Sequence, residues 1–451
     1  MISFAKNTKL VILGAGESGI GAALLGKAKG LDVFVSDGGK IKDAYRDELQ
    51  ASHIYYEEEG HSAERILAAD IVVKSPGISE KEEIVKKIRS AQIPLISEIE
   101  LAYHFAKGKK IIAITGSNGK TTTTALTAHI FKTAGLNAAC VGNIGYSFAR
   151  QVALEPAEYY IVEVSSFQLD DIIDFRPDVA VLLNITPDHL DRYDYKMENY
   201  VASKFRITMN QRPEDFFIYC KDDPEIMHVI AQKPIKPKNL PFTIMEPLNE
   251  GGFIENNNLN IRLGKEDFQM SIYDLALKGK HNLYNSMAAG IAARTMDIRK
   301  EKIRESLTSF QSLEHRLEFV ATVKGVDFIN DSKATNLNSV WFALESIERP
   351  IILIMGGVDK GNDYSLIKDL VKEKVKAIVC LGKDNRKLHE AFSKDVEVMV
   401  NTSAMKDAVQ GAFLLASKGD VVLLSPACAS FDLFKNYEDR GRQFKQAVKE
   451  L

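Results

Sequence analysis

The 451-residue sequence is poor in cysteine, nearly without tryptophan, and close to charge balance. Its four cysteines stand at positions 140, 220, 380 and 428, with no C-x-x-C pair. That spacing argues against a disulfide framework and against a thiolate zinc site. Lysine and arginine number 58 against 61 aspartate and glutamate, a net charge of −3. No basic surplus points to nucleic acid or an anionic membrane surface as partner. No apolar run approaches a membrane span, and the longest, such as residues 179–185, are strand-sized. The N-terminus, MISFAKNTKLVILGAG, enters a strand directly and lacks a basic, apolar and small-residue cleavage pattern. The cytoplasm is therefore the expected location. Low-complexity stretches and long linkers are also missing, although two to three domains are expected at this length.

What the chain does contain is short strands of apolar and β-branched residues alternating with helical stretches. This is the pattern of parallel sheets with crossover helices. Three segments each restart it with a glycine-rich loop, which predicts an α/β protein of three domains. Residues 1–107 read as Rossmann-like, 108–313 as a P-loop-type ATPase domain, and 314–451 as a second Rossmann-like domain. Expected strands are Lys9–Leu13, Asp32–Ser36 and 71–73 in the first segment. The second has 159–164, 179–185 and 216–219, then small antiparallel strands within 240–278 and a helix over 280–294. The third has 326–329, Ile351–Met355, 377–381 and Val421–Leu424.

Residues 111–124, IIAITGSNGKTTTT, carry the strongest chemical signal. A buried strand feeding a glycine turn aims backbone N–H groups at phosphate. Lys120 can reach the β- and γ-phosphates, and a threonine hydroxyl can sit on Mg²⁺. The spacing Gly116-Ser117-Asn118-Gly119-Lys120-Thr121 is two residues shorter between its glycines than the common phosphate loop. In the first segment, Gly14-Ala15-Gly16-Glu17-Ser18-Gly19 with Asp37 further on is close to a dinucleotide fingerprint. Its ligand is left as a dinucleotide or another nucleoside diphosphate. Glu163 ends a predicted parallel strand, where open α/β sheets place ligand groups, and could serve a Mg²⁺–ATP site. In the turn Asp188-His189, oxygen chemistry favours Asp188 over His189 as a Mg²⁺ ligand. Lys204 lies on a predicted helix and reads, by sequence alone, as a surface lysine. In the third segment, Asp331 to Asn336, Gly356 to Gly361 and Ser425 to Phe431 each follow a strand, so they should gather on one sheet edge. Arg316 and Lys333 could neutralise phosphate or carboxylate there, and Lys360 and Ser430 could hold a small anion.

Together these residues resemble the Mur ligase family of bacterial cell-wall synthesis. The resemblance rests on Thr-Gly-Ser-Asn-Gly-Lys-Thr-Thr at 115–122, Gly-Asn-Ile-Gly at 142–145, Glu163 with Ser-Ser-Phe-Gln-Leu, Asp188-His189-Leu-Asp-Arg, Lys204, His281-Asn282 with Asn285, and His315-Arg316. Asp331 to Asn336 and Ser425 to Ser430 look most like members that add D-glutamate. The resemblance implies an ATP-dependent amide ligase acting through an acyl phosphate in peptidoglycan precursor synthesis. Its implied substrates are UDP-N-acetylmuramoyl-L-alanine and D-glutamate, and a monomer is expected. The implied cofactors are ATP, two Mg²⁺ ions (with Mn²⁺ as substitute) and CO₂, which would carbamylate Lys204.

Residue by residue, the resemblance assigns catalysis to Lys120, Glu163, His189 and carbamylated Lys204, and metal to Thr121, Glu163, His189 and Lys204. ATP falls to Gly116, Ser117, Asn118, Gly119, Lys120, Thr121, Thr122, Asn282, Asn285, Arg316, Asp331 and Lys333. The UDP substrate falls to Gly16, Ser18, Gly38, Ser75, Gly77, Asn143 and His189, and D-glutamate to Thr335, Lys360, Ser430, Phe431 and Tyr437. Three other readings compete: a different amide ligase, a dinucleotide-dependent oxidoreductase carrying an NTPase domain, and a nucleotide-binding switch. The oxidoreductase is supported only by Gly14 to Gly21, and the switch leaves the third segment unexplained.

Overall fold

A computed structural model describes residues 2–451 apart from 265, 312 and 360. The chain divides into two compact units. One is Met1–Ala276 with Asn282–Phe310, the other Leu277–His281 with Gln311–Leu451.

The first unit holds two sheets. The smaller has five parallel strands, β1 (Lys9–Leu13), β2 (Asp32–Ser36), β3 (Tyr55–Glu57), β4 (Ile71–Lys74) and β5 (Leu95–Ser97), in the order β3-β2-β1-β4-β5. The order reverses between β1 and β4, so their C-terminal loops, at Gly14 and Ser75, frame the crevice where such sheets bind ligands. The strands are near-continuous apolar runs because helices cover both faces.

The larger sheet has nine strands: β6 (Lys110–Thr115), β7 (Ala138–Gly142), β8 (Tyr159–Glu163), β9 (Val179–Leu182), β10 (Phe216–Cys220), β11 (Lys238–Thr243), β12 (Gly251–Glu255), β13 (Asn258–Leu263) and β14 (Glu266–Ser271). Their order is β14-β13-β12-β11-β10-β9-β6-β8-β7, parallel from β7 across to β12. The last three form the expected antiparallel meander. The strand expected over 179–185 stops at Leu182; Leu183 N–H still donates to Thr115 O at 3.0 Å, and beyond it the backbone turns to side chains. Ile185 N–H donates to Asp223 Oδ2 at 2.7 Å and Thr186 N–H to Ser117 Oγ at 2.9 Å.

Polar contacts join the layers of this unit. The buried Glu100 carboxylate accepts the N–H groups of Ile173, Asp174 and Phe175 at 2.8–2.9 Å. Arg150 pairs with Glu17 and Glu48, and Lys74 lies 3.0 Å from Asp171. Glu98, also buried, accepts the N–H of Ala149.

The second unit is one six-stranded sheet of β15 (Glu318–Val323), β16 (Val326–Asn330), β17 (Ile351–Met355), β18 (Val375–Leu381), β19 (Val398–Thr402) and β20 (Val421–Leu424). The order is β15-β16-β20-β17-β18-β19, with only β15 antiparallel to its neighbour. Along β17, Ile351, Leu353 and Met355 enter one core and Ile352 and Ile354 the other, as a period of two requires.

Candidate active site

The phosphate-loop sequence folds as its glycines dictate. After β6 the chain turns through Gly116 (φ +152°) and Gly119 (φ +81°), both left-handed. A Cβ at Gly119 would lie 2.5 Å from Asn285 Oδ1. The helix Lys120–Thr133 begins there, and its glycine N-cap brings no capping side chain, which suits an anion. Other side chains pin the turn. Asn118 N–H donates to Asn184 Oδ1 at 2.8 Å, and Asn184 Nδ2 returns a bond to Asn118 O at 3.1 Å. Ser117 Oγ donates to Thr186 O at 2.8 Å. Lys120 folds over its own loop, its Nζ donating to Gly116 O and Ser117 O, each at 2.8 Å. Thr121 is buried and Thr122 half-buried on the first turn.

Asn282 and Asn285, expected to hold ATP, stand behind this loop. Asn285 Oδ1 accepts from Thr123 Oγ1 at 3.1 Å, and its Nδ2 donates to Asn282 Oδ1 at 3.0 Å. Asn285 thus shapes the loop through its side chain.

Lys204 overturns the surface reading made from sequence. It is 1 % exposed, its Nζ donating to Gly116 O at 2.8 Å and lying 4.6 Å from the Tyr200 ring centre. Burial, then the nearby Lys120 charge, push its pKa well below the ordinary lysine value. Both effects favour the neutral amine, the form that is nucleophilic. Glu163, the last residue of β8, is buried beside the phosphate-loop strand, Ile114 being its partner. Its Oε1 accepts from Asn143 Nδ2 at 3.1 Å, while its buried Oε2 has no hydrogen-bond partner among the described residues. An unpartnered buried carboxylate oxygen is costly unless a cation meets it. With the Thr121 hydroxyl, the donors are of the oxygen type that Mg²⁺ prefers.

His189 adopts a left-handed conformation (φ +52°), with Nε2 3.7 Å from Asp188 Oδ1 and its ring 5.3 Å from Phe167. A cavity of about 290 Å³ gathers these groups. Gly77, Lys120, Asn143, Asp188, His189 and Lys204 line it, with Tyr200 among the other walls. Sequence reasoning missed Tyr200, whose hydroxyl lies 3.1 Å from Ser117 Oγ. The available signal was its position four residues before Lys204, on the same helix face.

The first glycine loop is built differently. Gly14 has φ +89°, and a Cβ at Gly19 would lie 1.8 Å from Gly14 O, so helix and strand pack through this contact. Gly16 and Gly77 face open space, and Ser18 is half-buried. Ser75 Oγ donates to Gly14 O at 3.3 Å. Asp37, the acidic residue of the fingerprint, accepts Ala15 N–H at 2.6 Å on one oxygen and Gly39 N–H at 2.8 Å on the other. Its carboxylate is a strut of the loop, which disfavours the ribose-binding role a dinucleotide would need. Gly38, beside it, faces the His61 ring.

In the second unit, the loops after β16, β17 and β20 follow neighbouring parallel strands and so share one sheet edge, as the spacing predicts. Asp331 is buried, accepting Ser425 Oγ at 2.9 Å and Leu317 N–H at 3.2 Å. Burial pushes its carboxyl up to about 7. Arg316 is half-buried in the preceding turn, and Lys333 Nζ lies 5.3 Å from the Tyr437 ring centre. Thr335 is half-buried, Ser430 buried and Phe431 73 % exposed. Lys360 lies outside the described residues. Sequence reasoning also missed Arg440, which is 1 % exposed. Its guanidinium donates to Ser332 O at 2.8 Å, Ser332 Oγ at 3.0 Å and Cys428 O at 3.1 Å, tying two of these loops together.

Comparison with known proteins gives matches along most of the chain. The family model described as "Mur ligase middle domain" matches residues 114–293, "Mur ligase, glutamate ligase domain" matches 315–428, and "MurD N-terminal domain" matches 9–84. The chain is 53% identical over 443 residues to the UDP-N-acetylmuramoylalanine–D-glutamate ligase of Christiangramia forsetii, covering 98% of this chain and 99% of the relative. It is 54% identical over 444 residues to the protein of the same name from Bacteroides fragilis, covering 98% and 100%. Among solved structures, a pseudomurein peptide ligase type C from Methanothermus fervidus shares the fold, with a TM-score of 0.62, 21% identity and coverage of 98% and 99%.

Proposed function

The chain belongs to the Mur ligase family, and from that premise we propose that it joins D-glutamate to UDP-N-acetylmuramoyl-L-alanine at the expense of ATP, in peptidoglycan precursor synthesis. The observation that carries the ligase chemistry is the cavity that brings Lys120 and Lys204 together, with Asn143 on its wall binding the half-satisfied Glu163. The choice of D-glutamate is supported by relatives that are 53–54% identical over nearly their whole length.

A carboxylate is a poor acylating agent, so its oxygen first attacks the γ-phosphorus of ATP and ADP leaves. The amine of D-glutamate then attacks the acyl carbon, the carbon–oxygen bond to phosphate breaks, and the amine proton is released. Both partners in the first step are anionic. Lys120 would offset their repulsion and the charge that builds on the transferring phosphoryl group. Mg²⁺, when bound, supplies further charge neutralisation at the phosphates. Thr121, Glu163, His189 and Lys204 would hold it.

Lys204 is proposed to carry a carbamate. Its neutral amine would attack the carbon of CO₂, forming an N–C bond and releasing one proton. A buried amine would thereby become an oxygen donor matched to Mg²⁺. Its burial and depressed pKa support this reading, because an ammonium could not react.

By segment, we assign residues 1–107 to the UDP substrate, 108–313 to ATP and 314–451 to the amino acid. Gly16, Ser18, Gly38, Ser75, Gly77, Asn143 and His189 are proposed for the UDP substrate. ATP is assigned to residues 116–122, Asn282, Asn285, Arg316, Asp331 and Lys333. Thr335, Lys360, Ser430, Phe431 and Tyr437 are proposed for D-glutamate. A cytoplasmic monomer is the proposed working form, and among the described residues no helix is long and apolar enough to cross a membrane.

The test is phosphate release with ATP, Mg²⁺ and UDP-N-acetylmuramoyl-L-alanine against a panel of amino acids, both enantiomers of each. Release with D-glutamate alone is expected. Release with a different amino acid would keep the ligase chemistry and move the error to the 314–451 assignment. No release from folded protein that binds ATP would overturn the acceptor.

A further inference from the structure

β2 and β3 end side by side, with Ser36 paired to Glu57, and the turn after β3 returns His61 against both. Ser36 is fully buried. Its Oγ lies 2.7 Å from Glu57 Oε1 and 2.7 Å from His61 Nδ1. A hydroxyl has one proton to give. Burial works to raise the Glu57 pKa, but bonds from Ser36 and Ser62, with the His61 ring close by, hold it below its ordinary value. Glu57 is therefore an anion, the stronger of the two acceptors, and takes the Ser36 proton. Ser36 Oγ must then accept from His61 Nδ1–H. In the neutral ring this fixes the tautomer and leaves Nε2 as a lone-pair acceptor.

That lone pair is on offer. Among the described residues Nε2 makes no hydrogen bond; Nδ1 makes the one contact the ring has. It lies over Gly38, where a Cβ would sit 3.1 Å from it. Glycine at 38 keeps this nitrogen uncovered. The neighbouring Asp37 carboxylate is already occupied by two backbone amides. A nucleoside whose diphosphate rests at the Gly14 to Gly19 turn extends along the sheet edge toward the end of β2. His61 stands at that end, over Gly38.

We propose that His61 reads the base of the nucleotide substrate, its Nε2 accepting the N3–H of uracil and so selecting uracil over cytosine. Cytosine presents a lone pair at N3, which would face the lone pair of Nε2. Ser36 and Glu57 act through His61 as positioning residues. The inference rests on the reading of residues 1–107 as the UDP-binding segment.

The test uses the full chain, with UDP and CDP as probes, by calorimetric titration of wild type, His61→Phe and Ser36→Ala. Wild type is expected to bind UDP roughly tenfold more tightly than CDP. His61→Phe keeps an aromatic ring on an exposed turn but has no acceptor, and should bring the ratio close to one by weakening UDP alone. Ser36→Ala frees the tautomer and should narrow the ratio partly. In wild type, the imidazole ¹⁵N spectrum should show a protonated Nδ1 and a bare Nε2 that shifts on UDP and not on CDP. UDP binding with the same preference in His61→Phe, or no ¹⁵N response, would overturn the role of His61 and leave the UDP reading standing. Failure of wild type to bind UDP at all would overturn both.

Discussion

Two glycine-rich turns in the first unit follow the same plan of strand, turn and helix, and they handle charge in opposite ways. At Gly14 to Gly19 the carboxylates are satisfied within the fold, Glu17 pairing with Arg150. Asp37 braces two backbone amides and Gly19 packs on Gly14 O. At Gly116 to Gly119 charge is left in tension. Two lysines share the carbonyl of Gly116, Lys204 is buried against the charge of Lys120, and Glu163 keeps an oxygen without a partner. The difference teaches that a glycine turn determines where a phosphate can rest, while the surrounding side chains determine whether chemistry happens there. On the proposed function the first turn is a dock and the second a reaction centre.

The comparison breaks most sharply at Lys120. Lys120→Ala should lower turnover by about 10³-fold or more, since phosphoryl charge goes uncompensated; near-normal phosphate release would end the distinction between the turns. Lys204→Ala should lose roughly 10²-fold or more, with partial recovery on adding acetate or propionate, which can supply the missing oxygen donor. Full activity without additive would remove the carbamate from the account.

The docking side is tested by stability and binding. Gly19→Ala drives a methyl into Gly14 O and should destabilise by about 1–3 kcal/mol, read as a lower denaturation midpoint at unchanged m-value. A midpoint equal to wild type would show that the turn has slack. Glu98, the buried carboxyl near this turn, has its pKa raised from 4.5 to about 8, by burial first and the Glu17 charge second. The folded chain therefore holds a proton that the unfolded chain releases across that window. Stability should fall as pH rises from 4.5 to 8, by up to about 1.4 kcal/mol per pH unit from this group. Glu98→Gln should flatten that slope in thermal melts, and an unaltered slope would exclude Glu98 as its source. The smallest effect is expected from Asp37→Ala, about 1 kcal/mol of loop stability. It should raise KM for the UDP-linked substrate at nearly constant kcat, and a fall in kcat alone would contradict a docking role.

Much of the fold was legible because its strands are buried apolar runs. Lys9–Leu13, Asp32–Ser36, Ile351–Met355 and Val421–Leu424 stand where the sequence predicts. The three-residue edge strands β3 and β5 were not legible, since three residues carry no periodicity. β15 was missed for another reason: it reads EFVATV, with no residue fully buried and no apolar-polar alternation. The phosphate loop was readable from its glycines and lysine. Lys204 was not, because what buries it comes from Gly116 and Tyr200, and no local pattern around a lysine reveals a distant carbonyl. Asp37 was legible as the acidic residue of a fingerprint, but its structural role was not. Its spacing suits a ribose, yet its oxygens are taken by amides that only the folded loop brings near.

Glu100 has a consequence for anyone who would treat the segments as interchangeable parts. It stands on the helix that closes the first sheet, yet its carboxylate serves three consecutive amides of the chain leading into β9. A chimera that replaced the first hundred residues would strip the loop 173–175, which leads into the second sheet, of its acceptor. Any graft at that boundary must carry Glu100 and the helix Glu98–Phe105 along with the central sheet, so the seam for recombination lies between β5 and Glu98.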